Sequence, residues 1–212
     1  AILNVFLTAM VAYTLIRQDF VLKRFVTIIF VLTMYVNAGL IPGYLLNRSL
    51  GLLNNFWVYI LPGLVSAFDL IIVRTYMRTI PGSLIESAQI DGAGEFTIFV
   101  KVILPLAMPV LATVALFVAV AQWNSWFDTY IYCGSAKNLT TLQYELMKAL
   151  STSMNQSGST ANVQNATQAA NQVTPTSIRA AITIVAAVPI LCVYPFLQKY
   201  FVQGMTLGSV KE

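Results

Sequence analysis

Glu86-Ser87-Ala88-Gln89-Ile90-Asp91-Gly92, followed ten residues after the glycine by Val102-Ile103-Leu104-Pro105, forms a short polar island between two long apolar segments. Pro81-Gly82 breaks whatever helix precedes it, and Ser83 lies three residues before Glu86. That spacing predicts a capping box, with the Ser83 hydroxyl taking the Glu86 N–H and the Glu86 carboxylate reaching back. Leu84, Ile85 and Ala88 then share one face, and Gly92 is placed to end the helix in a left-handed turn. A helix of about two turns spans roughly 12 Å and is marginal by itself. Its apolar face needs a receiver.

Composition places the whole chain. Of 212 residues, 58% are hydrophobic and 9% charged, with no histidine. Soluble domains carry about 25% charged residues, so the chain reads as an all-α membrane protein, a bundle of transmembrane helices. The net charge of +4 comes from scattered basic residues, not from the clustered patch that nucleic acid requires. Contact with anionic lipid headgroups accounts for them more simply. Cys133 and Cys192 are the only cysteines, so neither a disulfide framework nor a metal-ligand spacing is expected. A Gly-x-x-x-x-Gly-Lys-Ser/Thr phosphate loop is absent, and the lack of histidine excludes a serine triad in its usual form. The chain is expected to be no enzyme and to hold no cofactor or metal.

Five apolar segments are expected as spans: residues 1–16, 25–41, 56–77, 102–121 and 180–201. The first is slightly short and lacks a basic leader, so it reads as a helix preceded by sequence missing here, not as a signal peptide. Arg17, Lys23, Arg24, Arg74, Arg78, Lys101, Lys199 and Lys211 fall on the side of the polar island. Arg48, Lys137, Lys148 and Arg179 are spread over the longer connections of the other side. Basic residues accumulate on the cytoplasmic side, so the island is expected there. Of the external connections, 42–55 is apolar enough to lie along the membrane surface as a helix. The long loop 122–177 contains a candidate helix at 143–150, and 151–174 holds no charged residue and reads as a mobile polar run.

Glu86-Ser87-Ala88, Gly92 and Val102-x-Leu104-Pro105 resemble the EAA motif of binding-protein-dependent ABC importer permeases, with Ser87 and Val102 as mild departures. The run Tyr200-Phe201-Val202-Gln203-Gly204-Met205-Thr206-Leu207-Gly208-Ser209-Val210-Lys211 is similar to the tail of maltose-type carbohydrate permeases. The resemblance implies a six-helix permease of which five spans are visible, forming a single domain over 1–212. It implies a second, non-identical permease, two ATPase subunits carrying ATP and Mg, an extracellular solute-binding protein and a carbohydrate substrate. Residues 83–92 would be the coupling helix, with Ser83, Glu86, Ser87, Ala88, Asp91 and Gly92 meeting the ATPase. The segment Asn37-Ala38-Gly39-Leu40-Ile41-Pro42 and the form of the motif at Ile85–Gly92 look most like permeases for oligosaccharides and complex glycans in Gram-positive bacteria. A permease for a polyol or glycerol phosphate, or a membrane scaffold or channel subunit without pumping, stands as the alternative.

Polar residues at membrane depth are candidate pathway residues. Asp69 falls within the third expected span and Asn37 within the second. At the outer end of the fourth, Trp123, Asn124 and Asp128 can be an interfacial aromatic belt or a sugar-facing patch. On a helix continuing from the fourth span, Asn124 and Asp128 would share a face, with Trp123 flanking them.

Overall fold

The computed structural model describes residues 1–36, 38–158 and 175–208, and in these all regular structure is helical. Helix α1 (Ile2–Ile16) packs against α4 (Ala67–Met77), and α8 (Met108–Trp123) closes the group. Ala9 and Ala12 of α1 are fully buried in this contact. Small side chains let helix backbones approach closely where lipid offers no hydrophobic drive for association. Tyr13 and Leu15 complete the α1 contribution, facing Leu70, Val73 and Met77 of α4 and Val110, Leu111 and Val114 of α8.

Helix α2 (Lys23–Tyr35) is unlike these: no residue in it is buried, and Phe25, Ile28, Ile29 and Leu32 are exposed. Such a surface is stable only against lipid or another apolar partner. The second span, expected at 25–41, stops at Tyr35. Val36 is extended, and Gly39 takes φ 85°, a conformation that only glycine adopts freely. Asn37 lies outside the described residues. Helix α3 (Leu40–Ser49) then occupies the connection expected to be an interfacial helix.

The third span, expected as one helix over 56–77, is broken. Two 3-10 turns, Phe56–Tyr59 and Leu61–Gly63, precede α4, and the two parts are bent by 48°. Pro62-Gly63 interrupts the ladder, and Ser66 restarts it by accepting the Asp69 N–H at 3.4 Å. The capping spacing expected at Ser83–Glu86 is thus used at Ser66–Asp69.

Helix α5 (Gly82–Ile90) follows, then α6 (Glu95–Ile98), a π turn at Phe99–Ile103 and α7 (Leu104–Leu106). Pro105 has no N–H, and its ring crowds the carbonyl four residues back. A widened turn immediately before it relieves that clash, with the Leu104 N–H reaching Phe99 O. Between Glu95–Leu106 and Met108–Trp123 the chain bends by 79°. The fourth span, expected to start at 102, therefore begins at Glu95 and is angled at Ala107. Phe99 is buried against the rings of Phe6 and Tyr13, at 6.0 and 5.4 Å.

Beyond α8 come α9 (Phe127–Tyr132), a 3-10 turn at Lys137–Leu139 and α10 (Leu142–Gly158). The helix expected at 143–150 runs eight residues further, into the uncharged stretch expected to be mobile. Residues 159–174 lie outside the described residues. Helix α11 (Pro175–Gly208) starts before the expected 180 and continues through Pro189 and Pro195. Among the described residues no single helix is long and apolar enough to cross a membrane, whereas two bent pairs reach that length and composition together.

Candidate functional site

Helix α5 is entered differently from the sequence expectation. Pro81 is the N-cap, with φ −59° and ψ 131°, and no side chain caps this end. Ser83 is already helical, so its hydroxyl cannot serve the Glu86 N–H, and Glu86 does not reach back. The proline itself fixes the angle at which the chain enters the helix. Ser87 Oγ donates to Ser83 O at 2.8 Å.

The other end is as expected, and more complete. Gly92 takes φ 78°. Its N–H donates to Gln89 O at 3.0 Å, and the Ala93 N–H donates to Ala88 O at 3.0 Å. Those two bonds make a Schellman motif, which satisfies carbonyls the helix would leave open. Asp91 is the C-cap residue. The apolar face is divided: Ile85 and Ala88 rest on the chain's own core, while Leu84 and Ile90 point outward, Ile90 at 87% exposure. The receiver for the first pair is internal. Only the second pair is left for a partner.

Sequence reading missed the residue that fixes this helix to the bundle. Glu95 opens α6, and its carboxylate gathers three donors. Tyr13 Oη donates to Oε2 at 2.7 Å, Arg17 donates to Oε1 at 2.7 Å, and Gln89 Nε2 donates to Oε1 at 3.1 Å. Tyr13 and Arg17 close α1, and Gln89 belongs to the last turn of α5. Arg17 also pairs with Asp19 at 3.1 Å. One carboxylate thus joins the coupling-helix candidate to the packed α1–α4 pair. Beside it a crevice of about 410 Å³ is lined by Arg17, Asp19, Arg78, Glu86 and Gln89, so Glu86 faces a cleft that already contains charge of both signs.

At the opposite end of α1, a cavity of about 500 Å³ has Asn4, Phe56, Tyr59, Gln122, Asn138 and Thr141 in its lining. Tyr59 Oη lies within hydrogen-bond distance of both Leu139 O and Thr129 Oγ1, each at 2.9 Å, which fixes its ring. Rings, amides and hydroxyls in one cavity can stack on sugar C–H faces and exchange hydrogen bonds with hydroxyl groups.

Of the residues expected to meet a solute, Asp69, Trp123, Asn124 and Asp128 are among those described. Asp69 is buried in the first turn of α4, where a carboxylate is favoured by the helix dipole. Helix α8 ends at Trp123, and α9 starts afresh at Phe127, so Asn124 and Asp128 do not share one helix face. Asn124 Nδ2 donates to Val120 O at 2.9 Å, Asp128 accepts from Ser125 Oγ at 2.8 Å, and Trp123 Nε1 donates to Ala186 O of α11 at 3.1 Å. Each polar group is engaged in its own helix end or in docking α11.

Comparison with known proteins agrees with this architecture. The family model described as binding-protein-dependent transport system inner membrane component matches residues 4–207. A polygalacturonan/rhamnogalacturonan transport system permease from Bacillus subtilis is 38% identical over 208 residues, covering 98% of this chain and 71% of that protein. A trehalose transport system permease from Mycobacterium tuberculosis is 32% identical over 216 residues, covering 99% and 72%. Among solved structures, a bacterial ABC transporter involved in the import of the acidic polysaccharide alginate contains a similar chain. Its TM-score is 0.77 at 31% identity, over 95% of this chain and 70% of the other.

Proposed function

The chain belongs to the family of binding-protein-dependent transport system inner membrane components, and from that premise we propose how it works as the permease subunit of a bacterial carbohydrate ABC importer. It is a membrane-embedded transport subunit and not itself an enzyme. ATP and Mg are assigned to a partner ATPase pair, and the pathway is shared with a second permease. An external binding protein delivers the solute. Polygalacturonan- and alginate-derived oligosaccharides are the first substrates to test, since relatives carry those names.

The observation that carries this reading is the junction at Glu95. Helix α5 presents Leu84, Glu86, Ser87 and Ile90 outward, while Gln89, Glu95, Arg17 and Tyr13 tie its last turn to α1. Movement imposed on α5 by closure of an ATPase dimer is therefore passed directly to α1 and, through the α1–α4 packing, to the bundle. That is a two-state element biased from a distant site, as coupling requires. In this reading Ser83, Ala88, Asp91 and Gly92 shape the helix, and Glu86 and Ser87 face the ATPase.

The orientation is tested by labelling. A cysteine replacing the exposed Ser87 should react with a membrane-impermeant maleimide only when the cytoplasmic side is open to it. One replacing the exposed Ser151 should react from outside. Reversed labelling would overturn the placement of α5 at the ATPase.

The outer cavity is the proposed solute-facing surface. Gln122 is exposed at its wall and Gly63 lies near its amide. Losing one sugar hydrogen bond costs on the order of 1 kcal/mol, or several-fold in affinity. Gln122→Leu should thus raise the solute concentration needed for half-maximal uptake several-fold, with ATP hydrolysis without solute unaltered. An unchanged concentration dependence would remove Gln122 from the solute path.

A further inference from the structure

Between the cytoplasmic ends of α1, α2 and α4 lies a crevice of about 420 Å³ whose lining includes Lys23, Arg24, Arg74 and Arg78 and contains no acidic residue. Among the described residues the ion pairs are those of Arg17, with Asp19 and Glu95, so none of these four cations is paired with another described residue. Arg74 makes one hydrogen bond from its guanidinium, to Thr27 Oγ1 of α2 at 3.0 Å, and its Nε is buried without a partner. Arg74 and Arg78 are four apart on α4, a like-charge spacing that opposes the helix. Lys23 and Arg24 open α2, at the end where a helix favours anions. Arg74 and Arg78 gain from their place at the C-terminal end of α4, and Arg78 also borders the crevice that holds Asp19 and Glu86. The mutual repulsion of the four cations, however, is relieved only when an anion sits among them.

The rest of the crevice gives the anion's character. Leu15 and Ile28 form an apolar wall beside the cations. The wall continues along the exposed apolar face of α2 through Phe25, Ile29 and Leu32. A soluble phosphate would use only the cationic part. An amphiphile would use both, with its phosphate among the four cations and its chain along α2.

We propose that this crevice binds the phosphodiester headgroup of an anionic phospholipid of the cytoplasmic leaflet. Basic pockets between membrane helices on that side are a known chemical fit for such headgroups. The leaflet rests on the orientation proposed above, whereas the binding itself does not. The lipid would hold α2, which rests on the core only through the partly buried Val26 and Phe30, to the α1–α4 pair, and would make the importer's stability depend on lipid charge.

The test uses the assembled importer, reconstituted in phosphatidylcholine vesicles with or without phosphatidylglycerol, then extracted for native mass spectrometry and thermal melting. Wild type should retain phosphatidylglycerol over phosphatidylcholine and melt higher in its presence. Lys23→Gln combined with Arg24→Gln should lose that retention several-fold and lose the melting shift. Lys23 is partly exposed and Arg24 exposed, and both stand at a helix start outside the core, so their neutralisation leaves the packing intact. Arg74→Gln is a second variant from the other wall, and Lys148→Gln, outside the crevice, should behave as wild type. Equal phosphatidylglycerol retention in wild type and both crevice variants would overturn the proposal. Displacement of the lipid by inorganic phosphate at comparable concentration would overturn the lipid source and leave a soluble-anion site. A melting shift that follows the ATPase subunits, independent of phosphatidylglycerol, would make the crevice a protein interface instead. Correct topology with no lipid preference would sink this inference alone, leaving the transport reading untouched.

Discussion

Gly92→Val is expected to reduce uptake by about tenfold or more while the permease still inserts, and Gly92→Asn is expected to retain most activity. The reason is backbone conformation and not space. A side chain built on Gly92 meets nothing within 4 Å, but the residue sits at φ 78°. Holding an ordinary residue in that left-handed region costs roughly 1–2 kcal/mol, more for a β-branched one, whereas asparagine tolerates it. Helix α5 has nine residues and no side-chain N-cap, so it has little intrinsic stability to absorb that cost. About 1.4 kcal/mol corresponds to a tenfold shift in the population of the docking-competent loop. Gly92→Pro is the severest change, because proline cannot adopt φ 78° and would also remove the N–H that bonds Gln89 O. The expected order of uptake is Gly92, Asn, Ala, Val, Pro, measured in vesicles at equal permease content. Wild-type uptake by both Val and Pro variants would mean the loop's shape is irrelevant to coupling.

The parts of this molecule that were legible in the sequence are those governed by nearby residues. Gly92 could be read because a glycine after a short amphipathic segment has few other uses. The apolar runs on either side of the island mark the bundle because their hydrophobicity is continuous. The third span misled for the same reason: its hydrophobicity hides the break, although Pro62-Gly63 and the Ser66-x-x-Asp69 spacing carry the signal. At Ser83–Glu86 the identical spacing proved silent, because Pro81 starts the helix early enough to make Ser83 internal. Asn124 and Asp128 were expected on one face because periodicity was extended past Trp123. The backbone turns there, and each makes one hydrogen bond to a near neighbour. Glu95 was beyond reach of any local pattern. Its partners Tyr13 and Arg17 are separated from it by 82 and 78 positions, and only folding brings them together.

That long-range contact yields the second large effect. Glu95→Ala should separate ATP hydrolysis from uptake: the assembled importer would keep hydrolysing ATP while transporting about tenfold less solute per ATP. The carboxylate accepts from a tyrosine, an arginine and a glutamine, and hydrogen bonds to a charged group contribute about 1.5–3 kcal/mol where water is excluded. Glu95 is 53% exposed while Arg17 is 19% exposed, so the Arg17 pair sits toward the lower, screened end of that range. Removing the carboxylate leaves the outward residues of α5 unaltered, and ATPase association should persist. What is lost is the tie between α5 and α1, so motion of α5 would be absorbed locally. Glu95→Gln should recover part of the coupling, since an amide oxygen still accepts from one or two donors but lacks the charge that holds Arg17. Arg17→Ala should repeat the Glu95→Ala phenotype, and the double variant should be little worse than either single one, as expected for partners in one network. Tyr13→Phe should be milder, because the ring keeps its packing on Phe99. A merely structural role predicts another pattern: less assembled complex, with the transport-to-hydrolysis ratio of the remainder unchanged. Stoichiometry measured on equal amounts of intact importer separates the two, and an unchanged ratio in Glu95→Ala would remove this junction from the coupling path.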